Sequence, residues 1–363
     1  MGQRKRDIWS GVPAVKIFRV RTGVSAVICP RIATFWRNDL NIKELGLSSS
    51  VTRADVIAAA KRIDEAVEHT PLIASQVVGK RAWLKCECLQ TGGAFKLRGA
   101  TNRLLQLSSE ERKAGVVAFS SGNHALGVAI AAERQGIPAT IVMPADAPAI
   151  KIHGTRSHGA EIVYYDRRSE SREAIAAQLA GEKGAVVVPS FDDPTIVAGQ
   201  GTVGLEVLQQ LADLGEPAPS VIVVPVGGGG LASGIALACP EARIVGVEPE
   251  GWDDMRRSLE AGEILPVEPD APPTLCDALQ TPRVSPITFD ILRERKAEIV
   301  SVSDEEVSAA VRWAWEHHQL VVEPGGAAAL AAVLAGKAKP CDGMVIILSG
   351  GNVDPALHAR LVG

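Results

Sequence analysis

Eight short runs in this chain are apolar almost from end to end, and that continuity constrains its fold more than any other feature. They are AWLKCE, VVAFS, ATIVMP, EIVYYD, AVVVPS, SVIVVPVG, RIVGVEP and MVIILSG. A strand with one face in water alternates apolar and polar residues, whereas a strand covered on both faces has no need to. Segments of helical spacing lie between the runs, among them HALGVAIAAERQG, SESREAIAAQLAGEK and DEEVSAAVRWAWEHHQL. Strands of this kind alternating with helices predict the α/β class with doubly wound, open parallel sheets. So many strands in the roughly 310 residues beyond position 50 predict two such sheets, with a site between them. The ordered part starts near SSSVTRADVIAAAKRI, where Ser50 or Thr52 caps a helix carrying Val56, Ala59, Ala60 and Ile63 on one face.

The first fifty residues read differently. Up to Arg37 they hold eight Lys or Arg and a single acid, Asp7, the composition of a targeting leader or of a disordered extension. Over the whole chain the charges nearly balance, with a net −4, so neither nucleic acid nor a membrane surface is an expected partner. No apolar run approaches the roughly 20 residues that span a bilayer. The six cysteines, Cys29, Cys86, Cys88, Cys239, Cys276 and Cys341, are scattered, and only Cys86 and Cys88 form a close pair. They read as reduced core thiols in a reducing, cytoplasmic setting.

Four glycine-rich segments follow strands or open helices. In TGGAFKLRGA, Lys96 follows Phe95 at a helix start. Such a lysine is either a snorkelling side chain or an amine kept from water, whose lowered pKa lets it attack a carbonyl. In VAFSSGNHALG, Ser121, Gly122, Asn123 and His124 stand where a strand meets a helix. Free amides there suit a carboxylate, although an ordinary N-cap would use the same residues. In VIVVPVGGGGLASG, Gly227, Gly228, Gly229 and Gly230 let backbone amides approach an anion closely, as a phosphate cradle does. The segment is neither G-x-G-x-x-G nor a P-loop. In VIILSGGN, Ser349 ends a strand and gains meaning only beside the other three.

Together these motifs resemble the pyridoxal-phosphate enzymes of the tryptophan-synthase β-like kind, fold type II, in the threonine dehydratase and serine racemase branch. FDDPTIVAGQGTVGLEVL and EPGGAAAL share the likeness, which runs from about residue 51 to the end. The resemblance implies a large cofactor-binding domain of residues 51–114 and 193–363, a small domain of residues 115–192, and an extension of residues 1–50. It implies Lys96 as the Schiff-base lysine and catalytic base, with Phe95 beside the ring and Asn123 on the phenolic oxygen. Gly227 to Gly230 and Leu231 would hold the phosphate, Ser349 the ring nitrogen, and Glu323 would lie in the same surroundings. Ser121, Gly122, Asn123 and His124 would surround the substrate carboxylate, with Ser121 also facing the substrate from the side opposite Lys96. In VEPEGWDD, Glu248, the Trp252 carbonyl and Asp254 match a Mg²⁺ or Ca²⁺ site of racemase-like members, and Arg172 matches an arginine near their domain interface.

The activity implied is β-elimination from L-threonine or L-serine to a 2-oxo acid and ammonia, in a homodimer or homotetramer acting on a small amino acid. A serine racemase or a hydroxyaspartate dehydratase on the same scaffold is the alternative, and a non-catalytic phosphate-binding protein a distant one. β-Replacement synthases fit less well, because SSGNHA departs from their S-G-N-T loop. The segment HGTRSHGAEIVYYD departs from the usual wording, and Gln280, Thr281 and Pro282 fall where side-chain preference would be set. The eleven residues after Asn352 leave no room for a regulatory amino-acid-binding domain, so isoleucine feedback is not expected.

Overall fold

The computed structural model describes residues 51–120, 122–147, 149–166 and 169–363. The expectations placed on residues 1–50 and on Ser121 therefore lie outside the described residues. Ten strands form two open sheets. They are β1 (Leu72–Val77), β2 (Lys80–Cys86), β3 (Val116–Phe119), β4 (Ala139–Pro144), β5 (Glu161–Tyr165), β6 (Val186–Val187), β7 (Val221–Pro225), β8 (Arg243–Pro249), β9 (Glu298–Val302) and β10 (Met344–Leu348). The larger sheet has the order β1-β2-β10-β7-β8-β9, and the smaller β5-β4-β3-β6. All pairings are parallel except β1 with β2. The α/β class with two open sheets is as the sequence predicts.

Helices cover both faces of the larger sheet. One face buries Ile222, Val224, Ile244, Val345 and Ile347, the other Val223, Val245, Val247, Ile346 and Leu348. Neighbouring residues of one strand thus enter opposite cores, which is why these runs are apolar throughout. The first described helix, Arg53–Ile63, starts at Thr52, whose hydroxyl accepts from the Asp55 amide while the Asp55 carboxylate accepts from the Thr52 amide. Val56, Ala59 and Ile63 are its buried positions, and Ala60 is half-buried. Among the described residues the cysteines are free thiols, all buried except the half-buried Cys341, and no helix is long and apolar enough to cross a membrane.

Two strands, β1 and β9, are absent from the eight apolar runs. They form the two edges of the larger sheet, where one side lacks a neighbour and the polar residues Ser75, Gln76, Glu298 and Ser301 are tolerated. AVVVPS shrinks to the two-residue β6, itself an edge, and Pro189 brings no N–H to prolong it. The β1–β2 turn is a two-residue loop with positive φ at both positions, Val78 (50°) and Gly79 (71°). That geometry suits the twist of the hairpin, but a β-branched residue adopts it only under strain.

Candidate active site

The helix Lys96–Leu104 begins where two short 3-10 turns release the chain from β2. Its orientation is set by a buried charge network that links elements far apart in sequence. Arg98, without solvent exposure, donates to both oxygens of Glu87 (2.8 and 2.9 Å) and both oxygens of Glu206 (2.5 and 2.9 Å). Lys85, equally buried, donates to Glu206 (2.7 Å), the Thr70 carbonyl (2.8 Å) and Gln210 (3.0 Å). Two cations and two carboxylates neutralise one another, and each is hydrogen-bonded, the condition under which buried charge is tolerated. Two residues before Arg98, Lys96 emerges into a cavity of about 480 Å³ between the strand ends of the two sheets.

Lys96 Nζ donates to the Ser190 carbonyl (3.1 Å) and lies 5.0 Å from the centre of the Phe95 ring. Burial pushes its pKa down to about 8. The same cavity is lined by Gly122, Asn123 and His124, by Gly227 to Gly230 with Leu231, and by Glu323 and Ser349. The structure therefore brings together every described residue of the four motifs to which the sequence assigned the cofactor and the substrate carboxylate.

The motifs are also bonded to one another. Ala94 and Gly350 form an antiparallel bridge, the Phe95 amide donates to the Ser349 carbonyl (3.2 Å), and the Gly351 amide donates to the Gly93 carbonyl (2.8 Å). The Glu323 amide donates to the Gly350 carbonyl (3.0 Å), and the Ser349 amide to the Gly326 carbonyl (3.2 Å). Residues following β10 thus act as a hub for the lysine segment and for the glycine pair after Glu323.

The glycine run lies between β7 and the helix Gly230–Ala238, whose first amides have no acceptor within the helix. Phe191 packs against it so closely that a Cβ at Gly228 would overlap its ring. The result is a concave run of backbone with room for an anion and none for side chains, which fits a phosphate.

His124 Nε2 donates to the Val188 carbonyl (2.8 Å), while its buried Nδ1 has no partner among the described residues. Burial, and then the charge of Lys96, push its pKa down to about 3. The imidazole is thus neutral and cannot serve as a cationic anchor; any carboxylate held at this point meets the unpaired amides at the start of the helix Asn123–Gln135. Glu323, 2% exposed, accepts from Asn123 Nδ2 through Oε1 (2.5 Å), and its Oε2 has no partner among the described residues. Burial, then the charge of Asp277, raise its pKa to about 7.

Glu248, Trp252 and Asp254 do not line this cavity, but Met255, which follows Asp254 directly, packs against its Gly229. Glu248 accepts from the Met255 and Arg256 amides (both 3.0 Å), and burial followed by the charge of Asp254 holds its carboxyl well above the usual range. Asp254 is buried, its Oδ2 has no partner among the described residues, and burial raises its pKa to about 7. Among the described residues no cluster of three or more His, Cys, Asp and Glu side chains could hold a metal. Two sequestered carboxylates with an orphaned oxygen nevertheless fit a hard divalent ion, if backbone oxygen completes the set. Arg172 stacks over Phe119 (5.6 Å), pairs with Glu173 (2.8 Å) and lines the cavity, as do Gln280, Thr281, Pro282 and Arg283. Sequence reasoning missed the Arg98 network and Arg283: Arg98 stands inside the lysine motif but its partner Glu206 lies 108 positions away, and Arg283 carries no local motif.

Comparison with known proteins gives a consistent result. The sequence pattern of a family described as "Pyridoxal-phosphate dependent enzyme" matches residues 63–350. An L-threo-3-hydroxyaspartate ammonia-lyase of Pseudomonas sp is 43% identical over 317 residues, covering 85% of this chain and 97% of that one. A serine racemase of Schizosaccharomyces pombe is 39% identical over 320 residues, covering 86% and 97%. The solved structure of maize serine racemase superposes with a TM-score of 0.79 at 37% identity, covering 86% of this chain and 96% of that one.

Proposed function

This chain belongs to the pyridoxal-phosphate-dependent enzymes, and from that premise we propose that it is an ammonia-lyase that converts a β-hydroxy α-amino acid to a 2-oxo acid and ammonia, the water lost in β-elimination being taken up again on hydrolysis. The observation that carries the reading is the convergence of a poorly solvated Lys96 amine, a bare glycine cradle and the Ser349 hydroxyl on one cavity. Pyridoxal phosphate, when bound, withdraws electrons from the Cα of an amino acid joined to its aldehyde. Gly227 to Gly230 and Leu231 would hold its phosphate, Asn123 its phenolic oxygen and Ser349 its ring nitrogen, with Phe95 beside the ring. Ser349 is a neutral hydroxyl and does not enforce a proton on that nitrogen, which favours elimination over longer-lived carbanions.

Lys96 would anchor the aldehyde and, once released by the substrate amine, would take the Cα proton at Nζ. With a pKa of about 8, roughly a tenth of the amine is free base at neutral pH, against well under a thousandth for an ordinary lysine. The amides of Asn123 and His124 would grip the substrate carboxylate, beside Gly122, whose own amide donates to the Ser120 hydroxyl (3.2 Å). Glu248, the Trp252 carbonyl and Asp254 would hold a divalent cation, Mg²⁺ or Ca²⁺, in a structural or activating rather than a catalytic role.

Within this class, 3-hydroxyaspartate is a second substrate reading besides threonine and serine. Arg283 favours it, since it lines the cavity and offers a cationic head to a second carboxylate; Arg172 lines the cavity too but is paired with Glu173 (2.8 Å). A panel of L-threonine, L-serine and L-threo-3-hydroxyaspartate, scored for 2-oxo acid release and for D-amino acid, tests the proposal. Keto-acid release that is lost in K96A supports it. D-serine as the main product would make the chain a racemase, and a purified protein that neither turns yellow with cofactor nor is labelled at Lys96 by borohydride would refute both.

A further inference from the structure

We propose that Asn352 is a positioning residue that fixes which end of the Asn123 amide faces the cavity, so that an N–H meets the cofactor's phenolic oxygen. The inference rests on the function proposed above and adds the device that orients one of its contacts.

The orientation follows by elimination. A backbone carbonyl can only accept, so the Asn352 atom 2.7 Å from the Gly92 carbonyl oxygen is Nδ2. The same Nδ2 lies 2.8 Å from the Asn123 amide. Its second hydrogen is spent there, so the Asn123 atom that receives it is Oδ1. Asn123 Nδ2 is thereby turned toward Glu323 Oε1, at 2.5 Å, and retains one hydrogen for the cavity it lines.

Glu323 alone could not make this choice. A carboxylate accepts from an N–H, and a protonated carboxyl can donate to a C=O, so either orientation of Asn123 would satisfy it. Asn352 breaks the tie, because the reversed amide would set two N–H groups against each other and strand the Asn352 donor. Asn352 is itself held in place. Gly93 adopts φ +71°, a Cβ there would overlap the Asn352 amide, and the Gly351 amide donates to the Gly93 carbonyl (2.8 Å). The anchor runs from the lysine segment through the hub after β10 to the start of the helix Asn123–Gln135.

An N–H donated to the ionised phenolic oxygen stabilises that negative charge, and so lowers the pH at which the bound cofactor's Schiff-base proton leaves. The experiment is a pH titration of the visible absorption band, with cofactor affinity measured alongside, on wild type, N352A, N123A and the double variant. Expected are a midpoint about one unit higher in N352A, which is a tenfold change, and a similar rise in N123A. The double variant should show no further rise beyond N123A, since Asn352 acts only through Asn123. A merely structural role would lower the melting temperature and leave the midpoint alone, or would add its shift to that of N123A; either result overturns the inference. Should N352A fail to fold, N352D keeps the side-chain volume, removes both donated hydrogens and must raise the midpoint in the same way. A wild-type protein that takes up no cofactor would overturn the proposed function and this inference with it. A normal wild-type band with an unshifted N352A overturns the inference alone.

Discussion

Replacing Arg98 by methionine removes one cation from the buried network while nearly preserving volume. Glu206 would keep Lys85 at 2.7 Å, but Glu87 would be left with the Thr70 hydroxyl as its one remaining side-chain partner among the described residues. Glu87 has no solvent exposure, so the variant strands a carboxylate that can be neither hydrated nor paired. Breaking a buried pair in this manner costs about 3–5 kcal/mol. The upper part of that range is expected here, because Arg98 also donates to the Glu68 carbonyl (3.2 Å) and Thr202 (3.3 Å). Urea unfolding at constant slope reads the loss directly. The companion variant R98M/E87M removes the stranded charge with its partner and should recover most of the stability, as apolar replacements of buried pairs do. Cofactor affinity should fall in R98M, because Lys96 sits half a turn away on the same helix. A loss under about 1 kcal/mol, or a double variant no better than the single, would refute the account of the network as a mutually dependent unit.

Other expectations concern single groups. Glu323 has a native pKa near 7 against an ordinary value of 4.5, so the folded state holds its proton more tightly than the unfolded one. Its contribution therefore falls as pH rises from about 4.5 to 7, by on the order of 3 kcal/mol, and E323Q should flatten that slope in stability measured against pH. Mg²⁺ at about 100 times its dissociation constant should stabilise the wild type by about 2.7 kcal/mol; D254N should lose the response, and a melting temperature indifferent to Mg²⁺, Ca²⁺ and chelator would remove the cation site. Val78 is 55% exposed at φ 50°, so V78N relieves backbone strain without losing packing and should stabilise by about 1 kcal/mol in urea unfolding.

Much of the fold could be read in advance because β4 and β8 are covered on both faces and announce themselves as unbroken apolar runs. The edge strands β1 and β9 could not, since partial exposure lets polar residues into them. The four glycine motifs were readable for a related reason: a cradle for an anion needs bare backbone in one stretch of chain. The Arg98 network had no such signal. Its members, at positions 70, 85, 87, 98, 206 and 210, are brought together only by the packing of the β1–β2 hairpin and its flanking segments against the helices Lys96–Leu104 and Pro194–Asp213. Asn352 was visible as a motif residue, but its purpose depends on the Gly92 carbonyl across 260 positions of chain. Glu248 and Asp254 drew attention only through the family likeness, and their burial is what gives that likeness physical weight.

The placement of β10 has a consequence for biosynthesis. It is inserted between β2 and β7, so the N-terminal hairpin and the rest of the larger sheet share no ladder until residues 344–348 arrive. On the ribosome, β2 and β7 would each wait with an unzipped side, open to mispairing with other nascent chains. Drugs or stalls that halt translation before Ser349 should accordingly yield sticky, inactive fragments rather than a slower enzyme.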